Sequence, residues 1–138
     1  MSKLDVFYLL DATQKFESKL NLALMYFGLR LPQYRVMDIL NKSGKITVSD
    51  LSRSVDVSRA TMSVLITKMQ KAGLIETLNN RQDRRSFYLK LTESGLAKFY
   101  SAEAAVNLVL RNLEKTLSDV SIEALNEFSK KIKHSRLG

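Results

Sequence analysis

The side chains best suited to chemistry in this sequence are cationic and hydroxylic, and they concentrate in two short stretches. The first runs from Ser58 to Gly73 and reads SRATMSVLITKMQKAG. Its apolar residues recur at helical spacing, which predicts a helix with one buried stripe and an opposite face that is small, polar and positive. Ser58 is a favourable N-cap, and Gly73 suits the left-handed position that ends many helices. A helix with short side chains near its N-terminus and Lys or Arg beyond them fits deep into the DNA major groove, so the stretch is predicted to be a recognition helix. Taken alone, the pattern also fits an ordinary amphipathic surface helix.

The second stretch is the loop at 79–85, NNRQDRR, which lies between two segments with the alternation of β-strands. Asparagine and aspartate favour turns, and three neighbouring guanidinium groups repel one another unless an anion approaches. The loop is therefore predicted to be the basic tip of a β-hairpin that contacts a polyanion. The alternative is a solvated hairpin in which Asp83 pairs with an arginine, an arrangement that would still orient the other guanidinium groups.

The positive charge of the chain is concentrated around these two stretches. The net charge is +8, and the segment 42–90 holds ten basic against four acidic side chains, which is +6 of that total. A localised excess indicates a polyanionic partner, with nucleic acid as the first candidate and an anionic membrane surface as the second. The membrane surface is the weaker candidate because the basic residues cluster around a turn and a hairpin, not along one helix face.

Catalysis and metal binding find little support among the residue types. The sequence has no cysteine and a single histidine, His134, near its C-terminus, so no Ser-His or Cys-His pair is expected in a formed pocket. It has no glycine-rich phosphate loop, and its carboxylates lack metal-ligand spacing. No enzyme activity, cofactor or metal is expected. The lack of cysteine fits a reducing compartment, and the longest apolar run, 22–29, is too short to cross a bilayer, so a cytoplasmic protein without a membrane partner is expected.

Helical patterns surround the two stretches. The periodicity and cap signals predict, in chain order, helices at 4–27, 31–43, 48–55 and 58–72, strands at 74–78 and 86–91, a helix from Thr92 through Leu113, and a last helix from Ser118 through Ile132. A short strand is expected at Ile46. The last helix carries a basic tail, which fits the negative end of a helix dipole and could add phosphate contacts: Lys130, Lys131, Lys133 and Arg136.

The third and fourth predicted helices are joined by a very short turn. Thr47 and Asp50 have the spacing of a capping box before the third helix, and Asp56 and Val57 form the turn into Ser58. Two helices joined in this way, the second with a small and basic outer face, have the layout of a helix-turn-helix. The neighbouring helix therefore favours the recognition-helix interpretation over the ordinary surface helix.

The first predicted helix carries more large apolar side chains than one small domain readily covers. A second copy of the chain is one place for that surface to go, and burial in the core of the same copy is the other. The sequence leaves these two possibilities open.

Motifs in register through the middle of the chain resemble the winged-helix core of the multiple antibiotic resistance regulator (MarR) family. They are the run TMSVLITKMQKAGLIE, then QDRRS, then LKLTESG, with a Gly-Leu pair at Gly73 and Leu74, Asp-x-Arg at Asp83 and Arg85, and Leu-Thr-x-x-Gly at Leu91, Thr92 and Gly95. The segment LPQYRVM at 31–37 resembles the family's second helix, although Pro32 stands where a Thr cap is more usual. The resemblance covers nearly the whole chain.

This resemblance implies a mainly α fold with a small antiparallel β wing: a winged helix-turn-helix with N- and C-terminal dimerisation helices. It implies one domain over 1–138, in which 1–29 and 93–138 hold a homodimer and 31–92 bind double-stranded DNA. The implied function is a sequence-specific transcriptional regulator on a near-palindromic operator, acting as a repressor released by a small-molecule effector. The alternative is a dimeric winged-helix architectural or protein-interaction module without operator specificity.

The expected DNA-binding residues follow from the two stretches and from the resemblance. Phosphate contacts are expected from Arg53, Arg59, Lys68, Arg81 and Arg84. Base edges are expected to lie near Ser58, Ala60, Thr61, Ser63 and Val64. The resemblance further implies that Asp83 orients the wing and that Arg85 enters the minor groove, where an arginine reads groove width and negative potential.

The resemblance also implies a cleft between the dimerisation helices and the reading head for a small aromatic or amphipathic effector. Side chains that could line such a cleft are Phe7, Phe16, Tyr34 and Met37. At helical spacing, however, such residues more often belong to an ordinary core. No ligand residue is assigned from the sequence.

Overall fold

The computed structural model describes residues 3–135, which form six helices and one three-stranded antiparallel sheet. The elements in chain order are α1 (Val6–Met25), α2 (Leu31–Ser43), β1 (Ile46–Thr47), α3 (Val48–Val55), α4 (Arg59–Lys71), β2 (Ile75–Asn79), β3 (Phe87–Leu91), α5 (Glu93–Glu114) and α6 (Asp119–His134). The predicted mainly α fold with a small β-hairpin is confirmed. Arg136, the last residue of the predicted basic tail, lies outside the described residues.

The helices begin where local sequence supplies a cap. The hydroxyls of Ser58, Thr92 and Ser118 each accept a hydrogen bond from the backbone N–H three residues further on, at 3.1, 2.9 and 3.1 Å. These bonds satisfy backbone donors that the first turn of a helix leaves free. The predicted caps of α4, α5 and α6 are therefore confirmed.

Helix α2 begins differently, because its cap comes from α1. The Oδ1 atom of Asn21 accepts the backbone N–H of Leu31 at 2.9 Å, and Gln33 Oε1 accepts that of Arg30 at 2.9 Å. Pro32, next in the first turn, has no N–H to satisfy. The Asn21 bond therefore ties the middle of one helix to the start of the next.

The sheet has the order β1-β3-β2, with Ile46 opposite Leu89 and Ile75 opposite Leu91. Strand β2 begins at Ile75, so the prediction that the strand starts at Leu74 is wrong by one residue. Leu74 instead closes the end of α4, where its N–H donates to Met69 O at 3.0 Å and the N–H of Gly73 donates to Gln70 O at 2.9 Å. Gly73 has φ +76°, so this is the Schellman turn that a glycine favours.

One hydrophobic core runs through the described residues and joins the helices to the hairpin. Phe99 of α5 is fully buried at its centre, and the Tyr34 ring stacks on Phe99 with a centroid distance of 5.4 Å. Burial, together with the nearby Glu103 and Asp38 carboxylates, raises the pKa of Tyr34 to about 12. Other fully buried members are Leu24, Met37, Leu40, Leu51, Met62, Met69 and Leu89. Helix α6 contributes no buried residue.

The end of α4 and the start of α5 meet at a backbone-to-backbone contact. Thr92 donates its N–H to Leu74 O at 3.1 Å and its hydroxyl to Gly73 O at 2.6 Å. Gly95 follows one turn later, and a Cβ placed there would lie 2.1 Å from Leu74 O. The Leu-Thr-x-x-Gly motif therefore positions the recognition helix against α5.

We expect Gly95→Ala to destabilise the protein. The added methyl would collide with a backbone carbonyl, which has less room to move than a side chain, so we expect a loss of about 2 kcal/mol or more in the free energy of unfolding. Urea denaturation followed by circular dichroism measures this loss. The control is Ser94→Ala, an exposed position in the same turn. Equal unfolding midpoints for the two variants would contradict the role given to this contact.

Candidate nucleic-acid interface

Helix α4 presents one face to the core and the other to solvent. Met62, Ile66 and Met69 are buried and Leu65 is half-buried, so the predicted apolar stripe is confirmed. The side chains on the opposite face are all exposed: Arg59, Ala60, Thr61, Ser63, Val64, Thr67 and Lys68. Val64 is 60% exposed in the middle of this face. The outer face combines short polar and apolar groups with cations at its two ends.

The turn before α4 is short and closely bonded. Asp56 adopts the left-handed conformation with φ 55°, and the N–H of Val57 donates to Ser52 O at 3.2 Å. Ser58 then accepts the N–H of Thr61, and the Ser58 hydroxyl donates to Thr61 Oγ1 at 2.9 Å. The first turn of α4 carries no acidic side chain, so the positive end of its dipole remains available to an anion.

Arg53 lies on α3 in an ion pair with Asp50. The guanidinium bonds the Asp50 carboxylate, and this hydrogen bond is the main reason that the pKa of Asp50 lies below its ordinary value. The Thr47 hydroxyl accepts the N–H of Asp50 at 3.1 Å, so the hydroxyl half of the predicted capping box is present. Because the Asp50 carboxylate and the Arg53 guanidinium are both exposed, the pair leaves Arg53 accessible to a phosphate.

The wing consists of β2, β3 and the loop 80–86 between them. Asp83 Oδ1 accepts the backbone N–H of Arg85 at 3.0 Å and lies 3.7 Å from Arg85 Nε. The pairing of Asp83 with an arginine that the sequence left open is thus present, and its partner is Arg85 itself. The Arg85 side chain remains 94% exposed, so this loose pair aims the guanidinium outward without covering it.

The loop contains two organising residues that sequence reasoning did not assign. Asn80 Oδ1 accepts the N–H groups of Gln82 and Asp83 at 3.1 and 3.3 Å, and Asn80 Nδ2 donates to Ser86 Oγ at 3.0 Å. An Asn two residues before an accepted N–H is the signature of an Asx turn, which could have indicated the first of these bonds. The bond across the loop to Ser86 depends on the register of the hairpin, which the sequence alone leaves undefined.

Most of the cationic side chains around α4 and the wing make no ion pair within the described residues. In the part of the chain that the structure describes, Arg59, Lys68, Arg81 and Arg84 form no ion pair. Arg59 and Lys68 lie on α4, and Arg81 and Arg84 lie on the loop of the wing, whose first strand follows α4 after the turn at 72–74. A surface of this kind suits an extended polyanion with phosphates spaced along it.

The structure also contains two apolar concavities, and the second reaches the start of α4 at Thr61. A groove of about 580 Å³ runs between α1 and α5 and is lined by Lys15, Phe16, Lys19, Leu22, Val109 and Leu113, among others. A cleft of about 420 Å³ lies between α1, α2 and the helix-turn-helix, with Glu17, Leu31, Arg35, Val36, Val57 and Leu65 among its lining residues. We refer to them as the α1–α5 groove and the Arg35 cleft.

None of the four side chains named from the sequence as possible cleft residues is among those that line the Arg35 cleft. Phe16 lines the α1–α5 groove, Met37 is fully buried in the core, and Tyr34 stacks on Phe99. Phe7 is 73% exposed near the start of α1. Met37 and Tyr34 thus follow the core interpretation, Phe16 is half-buried and packs against the core, and Phe7 is exposed.

Helix α6 has an apolar stripe without a partner among residues 3–135. Leu125, Phe128 and Ile132 are each between 38% and 46% exposed, and they recur at helical spacing. Large exposed apolar surfaces of this kind mark interaction sites.

The described residues contain no group of three or more His, Cys, Asp and Glu side chains able to hold a metal ion. Among the same residues, no helix combines the length and apolar character needed to span a lipid bilayer.

Known proteins share this arrangement. Residues 29–87 match the model of the MarR family. Over 121 residues the chain is 22% identical to the HTH-type transcriptional repressor IacR of Pseudomonas putida, with 88% of this chain and 72% of IacR covered. Another curated relative, a Bacillus subtilis HTH-type regulator, is 27% identical, and the chain spans 64% of its length.

Solved structures agree with the sequence relatives. AbsC, a MarR family transcriptional regulator from Streptomyces coelicolor, has a TM-score of 0.85 at 26% identity, covering 96% of this chain and 95% of AbsC. A mutant of MarR from E. coli complexed with operator DNA has a TM-score of 0.83 at 23% identity, covering 91% of this chain and 90% of MarR. The fold is therefore the winged helix of these regulators.

Proposed function

We propose that this chain, whose residues 29–87 belong to the MarR family, is a transcriptional regulator that binds double-stranded DNA as a homodimer on a near-palindromic operator. The observation that carries the proposal is the exposed face of α4 beside the wing, with four cations that have no ion-pair partner among the described residues. The relatives, named as transcriptional regulators or repressors, support the same role, which is not an enzymatic one. We place the protein in the cytoplasm because its named relatives are bacterial, and a bacterial regulator works there beside the chromosome.

We propose that α4 enters the major groove and the wing the adjacent minor groove. Ser58, Ala60, Thr61, Ser63 and Val64 would face base edges, since they are short and exposed. Phosphate contacts would come from Arg53, Arg59, Lys68, Arg81 and Arg84. Asp83 would hold the wing backbone, and Arg85 would enter the minor groove with its exposed guanidinium. In this division, residues 31–92 read DNA, and 1–29 and 93–138 hold the dimer.

The dimer would join the two apolar surfaces that one chain leaves open. No residue of α6 is fully buried within its own copy, and α5, the preceding helix, borders the apolar α1–α5 groove. A twofold pair that buries the α6 stripe removes this surface from water and sets two copies of α4 about one DNA turn, roughly 34 Å, apart. Regulation as a repressor would follow from changing that spacing.

We expect wild-type protein to bind DNA from upstream of its own reading frame with strong salt dependence. If each subunit makes about four phosphate contacts, log affinity falls against log salt with a slope of about −7. Arg85→Ala should weaken binding by about 1 to 3 kcal/mol through lost minor-groove contact. Fluorescence anisotropy at several salt concentrations measures both quantities.

The charge-matched control is Lys115→Ala, at the far end of α5 from the contact with α4, which should leave affinity nearly unchanged. A flat salt response at measurable affinity would refute the proposed function. Footprinting distinguishes the alternative: two symmetric protected half-sites support a regulator, whereas uniform coverage indicates an architectural protein. No DNA binding at low salt would indicate a protein-interaction module.

We expect Phe128→Asp to produce monomers. The carboxylate would have to enter the apolar dimer interface without a partner, which is strongly unfavourable. Light scattering after size-exclusion chromatography measures the mass of the protein. Operator affinity should also fall, because a monomer has one recognition helix and one wing and so contacts only one half-site. Asn126→Asp adds the same charge on α6 outside the apolar stripe and should remain dimeric. A dimeric Phe128→Asp protein would show that α6 is not the interface.

A second feature, the Arg35 cleft, favours control by a small aromatic or amphipathic acid. The cleft combines apolar walls from Val36, Val57 and Leu65 with the side chains of Arg35 and Glu17, which form no ion pair with each other in the described part of the chain. It touches both α1 and the helix-turn-helix. An apolar carboxylate matches this combination, because the guanidinium offers paired donors to a carboxylate. Occupation of the cleft would shift the reading head relative to α1 and release DNA.

We expect an aromatic acid to weaken DNA binding through Arg35. Phenylacetate tests the acid, and benzyl alcohol serves as the uncharged match. Isothermal titration calorimetry should show that phenylacetate binds and that benzyl alcohol does not. Arg35→Leu should abolish the binding of phenylacetate without changing the fold. Equal responses to the acid in wild type and Arg35→Leu would exclude the cleft as an acid site.

A further inference from the structure

In the loop of the wing, residues 80–86, the uncharged side chain of Asn80 makes more hydrogen bonds than any other side chain. Asn80 makes three side-chain hydrogen bonds: it accepts the N–H groups of Gln82 and Asp83 and donates to the Ser86 hydroxyl. Asn80 and Ser86 occupy the first and last positions of the loop, so the bond of 3.0 Å between them closes it. Asn80 itself is half-buried, whereas the five residues between it and Ser86 are exposed.

The bonds to Asn80 belong to a set that accounts for most of the loop backbone. The N–H of Arg85 donates to the Asp83 carboxylate at 3.0 Å, and the N–H of Ser86 donates to Asp83 O at 3.2 Å. The N–H groups of residues 82, 83, 85 and 86 are therefore all bonded within the loop. A loop whose backbone donors are satisfied internally holds its shape without an external partner.

Apart from the loose contact of Arg85 with Asp83, the arginines of this loop are ordered through its backbone. Arg81 and Arg84 form no ion pair in the described part of the chain, and Arg85 has only its loose contact with Asp83. The direction in which the three guanidinium groups leave the wing therefore depends on the loop conformation. Asn80 contributes three side-chain bonds to that conformation without adding to the charge, beside the bonds that Asp83 accepts from Arg85 and Ser86.

We propose that Asn80 is a positioning residue of the wing, which orders the loop before DNA arrives and thereby presents Arg85 to the minor groove. This inference rests on the proposed function, in which the wing contacts DNA. The physical basis is that binding costs less when a loop is already in its bound conformation, because its backbone entropy has been lost on folding. Ser86 assists as the acceptor for the Asn80 amide.

The test compares Asn80→Ala with Gln82→Ala, an exposed amide of the same loop whose side chain makes no hydrogen bond among the described residues. We expect Asn80→Ala to lower affinity for the upstream DNA about tenfold and Gln82→Ala to change it little. Because an arginine on an unordered loop contacts fewer phosphates, the salt slope of Asn80→Ala should become shallower, towards that of Arg85→Ala, whereas Gln82→Ala should keep the wild-type slope.

Two further readouts separate positioning from simple stabilisation of the fold. In the free protein, hydrogen exchange at the amides of residues 82–86 should be faster in Asn80→Ala, while the urea midpoint and dimer mass remain those of wild type. Arg85→Ala should cost less affinity in the Asn80→Ala background, because an arginine on an unordered loop has less contact to lose. Ser86→Ala should show a smaller change in the same direction.

Unchanged exchange at 82–86, or equal affinities for Asn80→Ala and Gln82→Ala, would overturn the inference while leaving the proposed function intact. Additive effects of the Asn80 and Arg85 substitutions would also overturn it, since the two residues would then act independently. If wild type itself fails to bind duplex DNA, the proposed function and this inference fall together.

Discussion

The close approach of α5 to the end of α4 is the contact on which the arrangement of the reading surface depends. Gly95 has no side chain, so the first turn of α5 can lie directly on the Leu74 carbonyl, and Thr92 bonds the carbonyls of Leu74 and Gly73. The same short segment ends α4, starts β2 and receives α5. In addition to the shared core, the recognition helix, the wing and a long terminal helix therefore meet at this segment, largely through backbone atoms, which adjust less than side chains.

Sequence reasoning succeeded where the determining interactions are local. The caps Ser58, Thr92 and Ser118 each act on the backbone three residues away, and the stripe Met62, Ile66 and Met69 follows directly from helical spacing. The error at Leu74 has the opposite cause. Its apolar side chain fits a strand, but its N–H closes a Schellman turn, and that choice depends on the conformation of the preceding glycine.

What the sequence could not provide are contacts between distant elements. Asn21 bonds the backbone at Leu31, ten residues away on another helix, and the Asn80 bond to Ser86 requires the hairpin register. The aromatic Phe16 was considered for an effector cleft, but it lies in the α1–α5 groove, because helical spacing gives a side chain's direction and not its neighbour. The sequence alone shows where the cations cluster. Only the structure shows that four of them have no ion-pair partner in the described chain.

The cap that α1 provides to α2 has a mechanical consequence. Asn21 reaches Leu31 from one face of α1, and its amide lies roughly 5 Å from the helix axis. Even a modest roll of α1 about its own axis would therefore move the amide away from the N–H of Leu31. Without the Asn21 oxygen, the half-buried N–H of Leu31 would lose its side-chain acceptor at the start of α2. The rotation of α1 about its axis and the orientation of α2 are therefore coupled through this hydrogen bond.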